Sequence, residues 1–172
     1  MEESVSALTL APRTHDLRSP RAAARWPKDQ PVPELAVLDL VIDGTSFLDM
    51  VFARLPTFSL RSPLWVGRPL VPFHARALLG EGPSDLHRAD PPNHVALLMC
   101  PHCANGGCGV LSARLIRDGG QVHWADVGRQ VRDLGELGPF TFDADQYDEA
   151  LRLLLNAPVH YPPADGRSGT EG

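Results

Sequence analysis

The 172-residue chain has little cysteine and almost no lysine, with three Cys and a single Lys against fifteen Arg. The cysteines are odd in number and crowded into nine positions. A secreted disulfide framework uses an even set spread along the chain, so that class is excluded. The preference for Arg is the kind a GC-rich genome produces. With a net charge of −5 and a pI near 5.7, there is no general electrostatic pull towards nucleic acid or anionic lipid. The opening MEESVSALTLAPRTHDLRSPRAAARW has no apolar signal-peptide core, and no run approaches the ~18 apolar residues of a membrane span. A Gly-rich phosphate loop, a nucleophile elbow and a paired-carboxylate motif are also missing. These absences predict a soluble cytoplasmic protein that binds neither nucleic acid nor membrane. Its 43% hydrophobic content is enough for a core without covalent staples.

What is present divides the chain into three. Residues 1–33 are rich in Ala, Arg, Ser and Pro with no sustained apolar period, which predicts a disordered or loosely attached arm. Residues 34–157 predict a single α+β domain, and 158–172 a mobile tail. Within the domain, LAVLDLVIDG reads as a strand closed by a turn at Asp43-Gly44. A helix follows, capped by Thr45 or Ser46, with Phe47, Leu48, Val51, Phe52 and Leu55 at helical spacing and Pro56 as its stop. Asp39, Asp43 and Asp49 are expected on a strand's solvent face, in a turn and on a helix surface. Seven prolines between 56 and 94 predict a long irregular connection with one short helix, FHARALLG, ended by Gly80. HVALLMC is a buried-type strand that delivers Cys100.

A hairpin is expected next, turning at Asp118-Gly119 or Gly119-Gly120. Either register puts Ala113, Leu115, Val122 and Trp124 on one face, assigned to the core. Ser112, Arg114, Ile116, His123 and Ala125 take the other. Phe140 and Phe142 suggest a short strand. Asp143 then caps a closing helix with Gln146 in the capping-box position, and Tyr147, Ala150, Leu151, Leu154 and Leu155 form its apolar stripe. The expected fold is thus α+β: a small, mainly antiparallel sheet with a central hairpin, one or two packed helices and a closing C-terminal helix.

The segment Cys100-x2-Cys103-x4-Cys108 carries the chemistry. Two thiolates separated by two residues can turn back on one tetrahedral ion, and Gly106, Gly107 and Gly109 let the chain wrap around it. The favoured reading is a structural zinc site at Cys100, Cys103 and Cys108. His102 is the nearest further candidate, although its adjacency to Cys103 restricts its reach. His74, His87, another chain or water are alternatives for the fourth position. His94 and His123 sit about 20 Å or more along their strands from the cysteines, at ~3.3 Å per residue. Idle thiols are the second reading.

The third reading is redox. Cys100-Pro-His-Cys103 resembles the active-site tetrapeptide of thioredoxin-fold disulfide oxidoreductases of the DsbA type, which implies Cys100 as nucleophile and Cys103 as resolving thiol. That family needs a helix after the first cysteine, whereas here glycines and a hairpin follow.

A broader resemblance covers residues 95–155. Cys100, Cys103, Gly107-Cys108, Val122-His-Trp124-Ala-Asp126 and Gly138-Pro-Phe140-Thr-Phe142-Asp143-Ala-Asp-Gln146-Tyr147 resemble the pattern of a family of uncharacterised actinobacterial proteins. Val127 stands where that pattern usually has Phe. The resemblance brings no activity with it. Trp124 and Tyr147 are read as core aromatics and Asp126 as a strand-end hydrogen-bonder. The resulting expectation is a non-catalytic, zinc-binding interaction module with a protein partner; the alternative is a thiol-disulfide oxidoreductase.

Overall fold

The computed structural model describes residues 4–18, 20–68, 70–82, 93–102 and 109–156. Strand β1 is Leu8–Asp16, helix α1 Pro20–Arg25, β2 Glu34–Ile42, β3 Thr45–Ser46, α2 Phe47–Arg54 and α3 Val71–Leu78. Then come β4 His94–Met99, β5 Val110–Asp118, β6 Gln121–Ala125, β7 Phe140–Asp143, α4 Ala144–Arg152 and a 3₁₀ turn, Leu153–Asn156. The α+β class and the closing helix are as the sequence predicts, but the strands form two antiparallel sheets, ordered β1-β2-β3 and β4-β5-β6-β7. Among the described residues no helix is long and apolar enough to cross a membrane.

Both predicted turns form. Asp43 and Gly44, each with positive φ, join Ile42 to Thr45, and Gly119-Gly120 joins Asp118 to Gln121. The second pairing selects one of the two hairpin registers. Leu115 stands opposite Trp124, on the face assigned to the core. Trp124 is fully buried and donates its indole N–H to the Tyr147 hydroxyl at 3.0 Å; that hydroxyl donates to the Leu78 carbonyl at 3.0 Å. Hairpin, closing helix and α3 are therefore joined by a buried polar relay as well as by Phe47, Phe142 and Leu151. Burial pushes the Tyr147 phenol well above its usual pKa, so it serves as a neutral donor.

The expectation of a loose arm over 1–33 is corrected for residues 8–16. β1 pairs with β2 from Leu8↔Ile42 to Asp16↔Glu34, and Leu8 is fully buried. The apolar alternation fails because the buried side changes along the ribbon. Leu8, Leu40 and Ile42 enter the main core from one face, while His15, Leu35 and Val37 are buried on the other. Pro12 is tolerated because an edge strand does not need every N–H. The expectation that Gln146 completes a capping box is corrected too. The Asp143 carboxylate does accept from the Gln146 backbone N–H at 2.9 Å. The Gln146 side chain instead accepts from the Leu8 N–H and donates to the Leu8 carbonyl, as a neighbouring strand would.

Isolated bridges connect the two sheets. Ser6 pairs with Phe142, Trp65 with Val37 and Arg61 with Met99. The segment 61–65 thus spans from β2 to the edge of β4, and the start of the chain reaches the edge of β7.

Candidate functional site

Cys100 directly follows β4 and is partly buried against the core. Met99 pairs with Val110, so the positions flanking residues 101–108 lie side by side at one end of the sheet. Arg61 closes the other side of Met99 with two backbone hydrogen bonds of 2.7 and 2.8 Å. Pro101 and His102 form a turn, with His102 exposed. Cys103, Cys108 and the alternative ligand His87 lie outside the described residues. Among the described residues no group of three His, Cys, Asp or Glu side chains stands together to hold a metal.

His94 and His123 separate from Cys100 much as strand length predicts. His94 pairs with Arg114 at the opposite end of β4, its Nδ1 3.2 Å from the Ser112 hydroxyl. His123 pairs with Ile116 and meets the Thr141 hydroxyl at 3.0 Å. His74 is buried on α3 in edge-to-face contact with Phe73, and burial lowers its pKa to about 4.

The outer face of the four-stranded sheet carries a second polar group. Gln130 donates to the Ser112 hydroxyl at 2.6 Å. Asp126, in a left-handed backbone conformation with φ 53°, accepts from Arg114 at 2.9 Å and Arg129 at 3.3 Å. The Arg114 hydrogen bond holds the Asp126 carboxyl below its ordinary pKa. A cleft of about 450 Å³ opens beside it, between residues 125–129 and 135–139. Ser112 is itself only 1% exposed, which withholds it from chemistry as a nucleophile.

A third polar group was not anticipated. Asp39, expected on a solvent face, is 3% exposed. It accepts from Arg13 at 3.1 Å and from the Ser46 hydroxyl at 2.6 Å, while Arg13 also reaches Asp49 at 2.9 Å. The register places Arg13, Val37 and Trp65 in one row across the ribbon, with His15 and Asp39 on the same face. Arg61 lies over the Phe52 ring, 5.1 Å from its centroid. Burial, followed by the charges of Arg61 and Arg13, lowers the His15 pKa to about 4. One signal for this site was available in the sequence: Asp39 interrupts an otherwise apolar strand.

No protein-family model, curated protein or solved structure matches the chain.

Proposed function

We propose that this is a non-catalytic cytoplasmic domain whose cysteine loop holds a structural zinc ion and presents that end of the sheet to a protein partner. The observation that carries the reading is the Met99↔Val110 pair. It brings the start and finish of the cysteine segment together, as a loop folded around an ion requires. Cys100 directly follows β4, and Gly109, the residue after Cys108 in the sequence, directly precedes β5 beside it. Strands flank the segment on both sides and Pro101-His102 form a turn, an arrangement that suits a metal knuckle better than a thiolate at a helix start. Cys100, Cys103 and Cys108 would supply three sulfurs, with His102 the adjacent candidate for the fourth position. The ion would supply folding free energy and no reaction step. Val66 and Leu70 carry exposed apolar side chains, which suit contact with a protein.

Metal analysis of the purified full chain, with a thiol count, tests this. One zinc per chain is expected, with lower stability on chelation and weaker binding when any one cysteine becomes Ser. Metal-free protein with three reactive thiols overturns it. A reversible Cys100–Cys103 disulfide whose exchange survives Cys108→Ser would establish the oxidoreductase alternative.

A further inference from the structure

A contiguous apolar groove that ends in an exposed leucine marks a surface made to be covered. Leu153, in the 3₁₀ turn, is 78% exposed. With Ala150 and Leu154 it forms one wall of a groove of about 390 Å³. The other wall is Leu8, Leu10 and Leu38, on one face of the β1–β2 ribbon. An apolar cavity of ~150 Å³ holds a benzene ring, so this groove has room for more than one side chain.

The edge of β1 limits what can lie there. On that edge the Ser6 N–H donates to the Thr141 carbonyl, and the Gln146 side chain takes both the N–H and the C=O of Leu8. Outward-facing groups recur at every second residue of an antiparallel strand, so the next pair belongs to Leu10, beside the groove. The pair after that falls at Pro12, which has no N–H to give. A long strand from another chain, or the same edge of a second copy, therefore meets a broken ladder. A short extended segment needs no more than Leu10 offers.

The chain itself supplies such a segment. Leu153 and Leu154 line the groove, Asn156 closes the turn, and Ala157-Pro-Val-His-Tyr-Pro-Pro163 comes next in the sequence. Val159 and Tyr161 are its large apolar side chains, and an extended backbone turns residues two apart to the same side. At ~3.3 Å per residue they come within roughly 10–17 Å of Asn156, which keeps both in reach of the groove. Pro158, Pro162 and Pro163 restrict the backbone, so ordering this stretch costs less than ordering a flexible one. Beyond Pro163 the sequence ADGRSGTEG has no large apolar side chain to bury.

We propose that residues 157–163 run back along the outer edge of β1 and place Val159 and Tyr161 in the groove, with a backbone hydrogen bond to Leu10. The occupant is the chain's own tail, and the mobile tail expected from the sequence then starts after Pro163. The contact covers Leu153 and is independent of the cysteine-loop reading.

The chain has two tyrosines, and Tyr147 is fully buried, so the Tyr161 ring can be followed separately by NMR in the full chain. Nuclear Overhauser contacts from that ring to the Leu153 and Leu10 methyl groups are expected. The Leu10 amide should exchange about tenfold more slowly than in the Val159→Ser/Tyr161→Ser double variant. Leu153→Asp alters an exposed side chain, so it should remove those contacts while leaving the Trp124 indole signal in place. A Tyr161 ring that touches neither leucine overturns the proposal and leaves the groove to a separate partner. A Leu10 amide indifferent to the double variant overturns it as well. So do contacts that form only between molecules in a mixture of isotope-labelled and unlabelled protein, which would assign the groove to the tail of a second copy.

Discussion

Replacing His74 by Gln should remove a large part of the acid sensitivity of this fold. His74 is 2% exposed on α3, and burial alone lowers its pKa from 6.5 to about 4. Above pH 6.5 the imidazole is neutral in both folded and unfolded chains and contributes no pH dependence. Between pH 6.5 and 4 the unfolded chain takes up a proton that the folded one refuses, so stability falls as pH falls. Below pH 4 both states are protonated and the slope vanishes. At ~1.4 kcal/mol per pH unit, the full interval amounts to about 3 kcal/mol. With a urea dependence of ~2 kcal/mol per molar, that moves the unfolding midpoint by about 1–2 M. The assay is a series of urea titrations from pH 7.5 to 3.5 on the wild type and His74→Gln. The substitution can shift the whole curve, so the quantity read is the difference in slope between the two proteins. His15 titrates in the same direction and the carboxylates titrate in both proteins, so they cancel in that difference. Parallel curves between pH 6.5 and 4 would refute the reasoning and show that the His74 ring keeps its proton in the fold.

Three further substitutions probe the packing around the closing helix. Trp124→Ala should cost about 3–5 kcal/mol in chemical unfolding, since it empties a fully buried site and removes the donor to the Tyr147 hydroxyl; a loss under 1 kcal/mol would contradict that burial. Asp143→Ala should cost about 1 kcal/mol through loss of the N-cap, with Asp143→Asn recovering most of it. Gln146→Ala should cost about 1–3 kcal/mol because the Leu8 backbone pair loses both partners. In hydrogen exchange its effect should concentrate at the Leu8 amide, and protection there equal to wild type would dismiss the clip.

Much of the architecture from residue 34 onwards was legible because local and global preferences coincide. Asp43-Gly44 and Gly119-Gly120 have the turn chemistry that two-residue hairpins demand, and Trp124 follows the period-2 alternation into the core. β1 was hidden for a physical reason: its buried side chains, Leu8 and His15, lie on opposite faces, and neither periodicity describes such a ribbon. The Gln146 contact was equally hidden, since its partner is backbone 138 residues away and backbone has no sequence signature. At the cysteine end, the strands flanking the loop were foreseen, and so was the remoteness of His94 and His123. The His15–Asp39–Arg61–Trp65 group was not, because its members come from three segments that only the sheet register aligns.

The clasp between Leu8 and Gln146 also sets an order of events during synthesis. At the usual ~5–20 residues per second, Gln146 leaves the ribosomal catalytic centre roughly 7–30 s after Leu8. Until then the first strand has β2 as a neighbour but lacks both the amide that holds its Leu8 backbone and the Phe142 bridge at Ser6. A nascent chain halted before Phe140 would therefore carry an unpinned apolar strand end, open to chaperones or to the same edge of another chain. The last helix thus works as a latch on the first strand, and the fold can lock only when the two ends of its story meet.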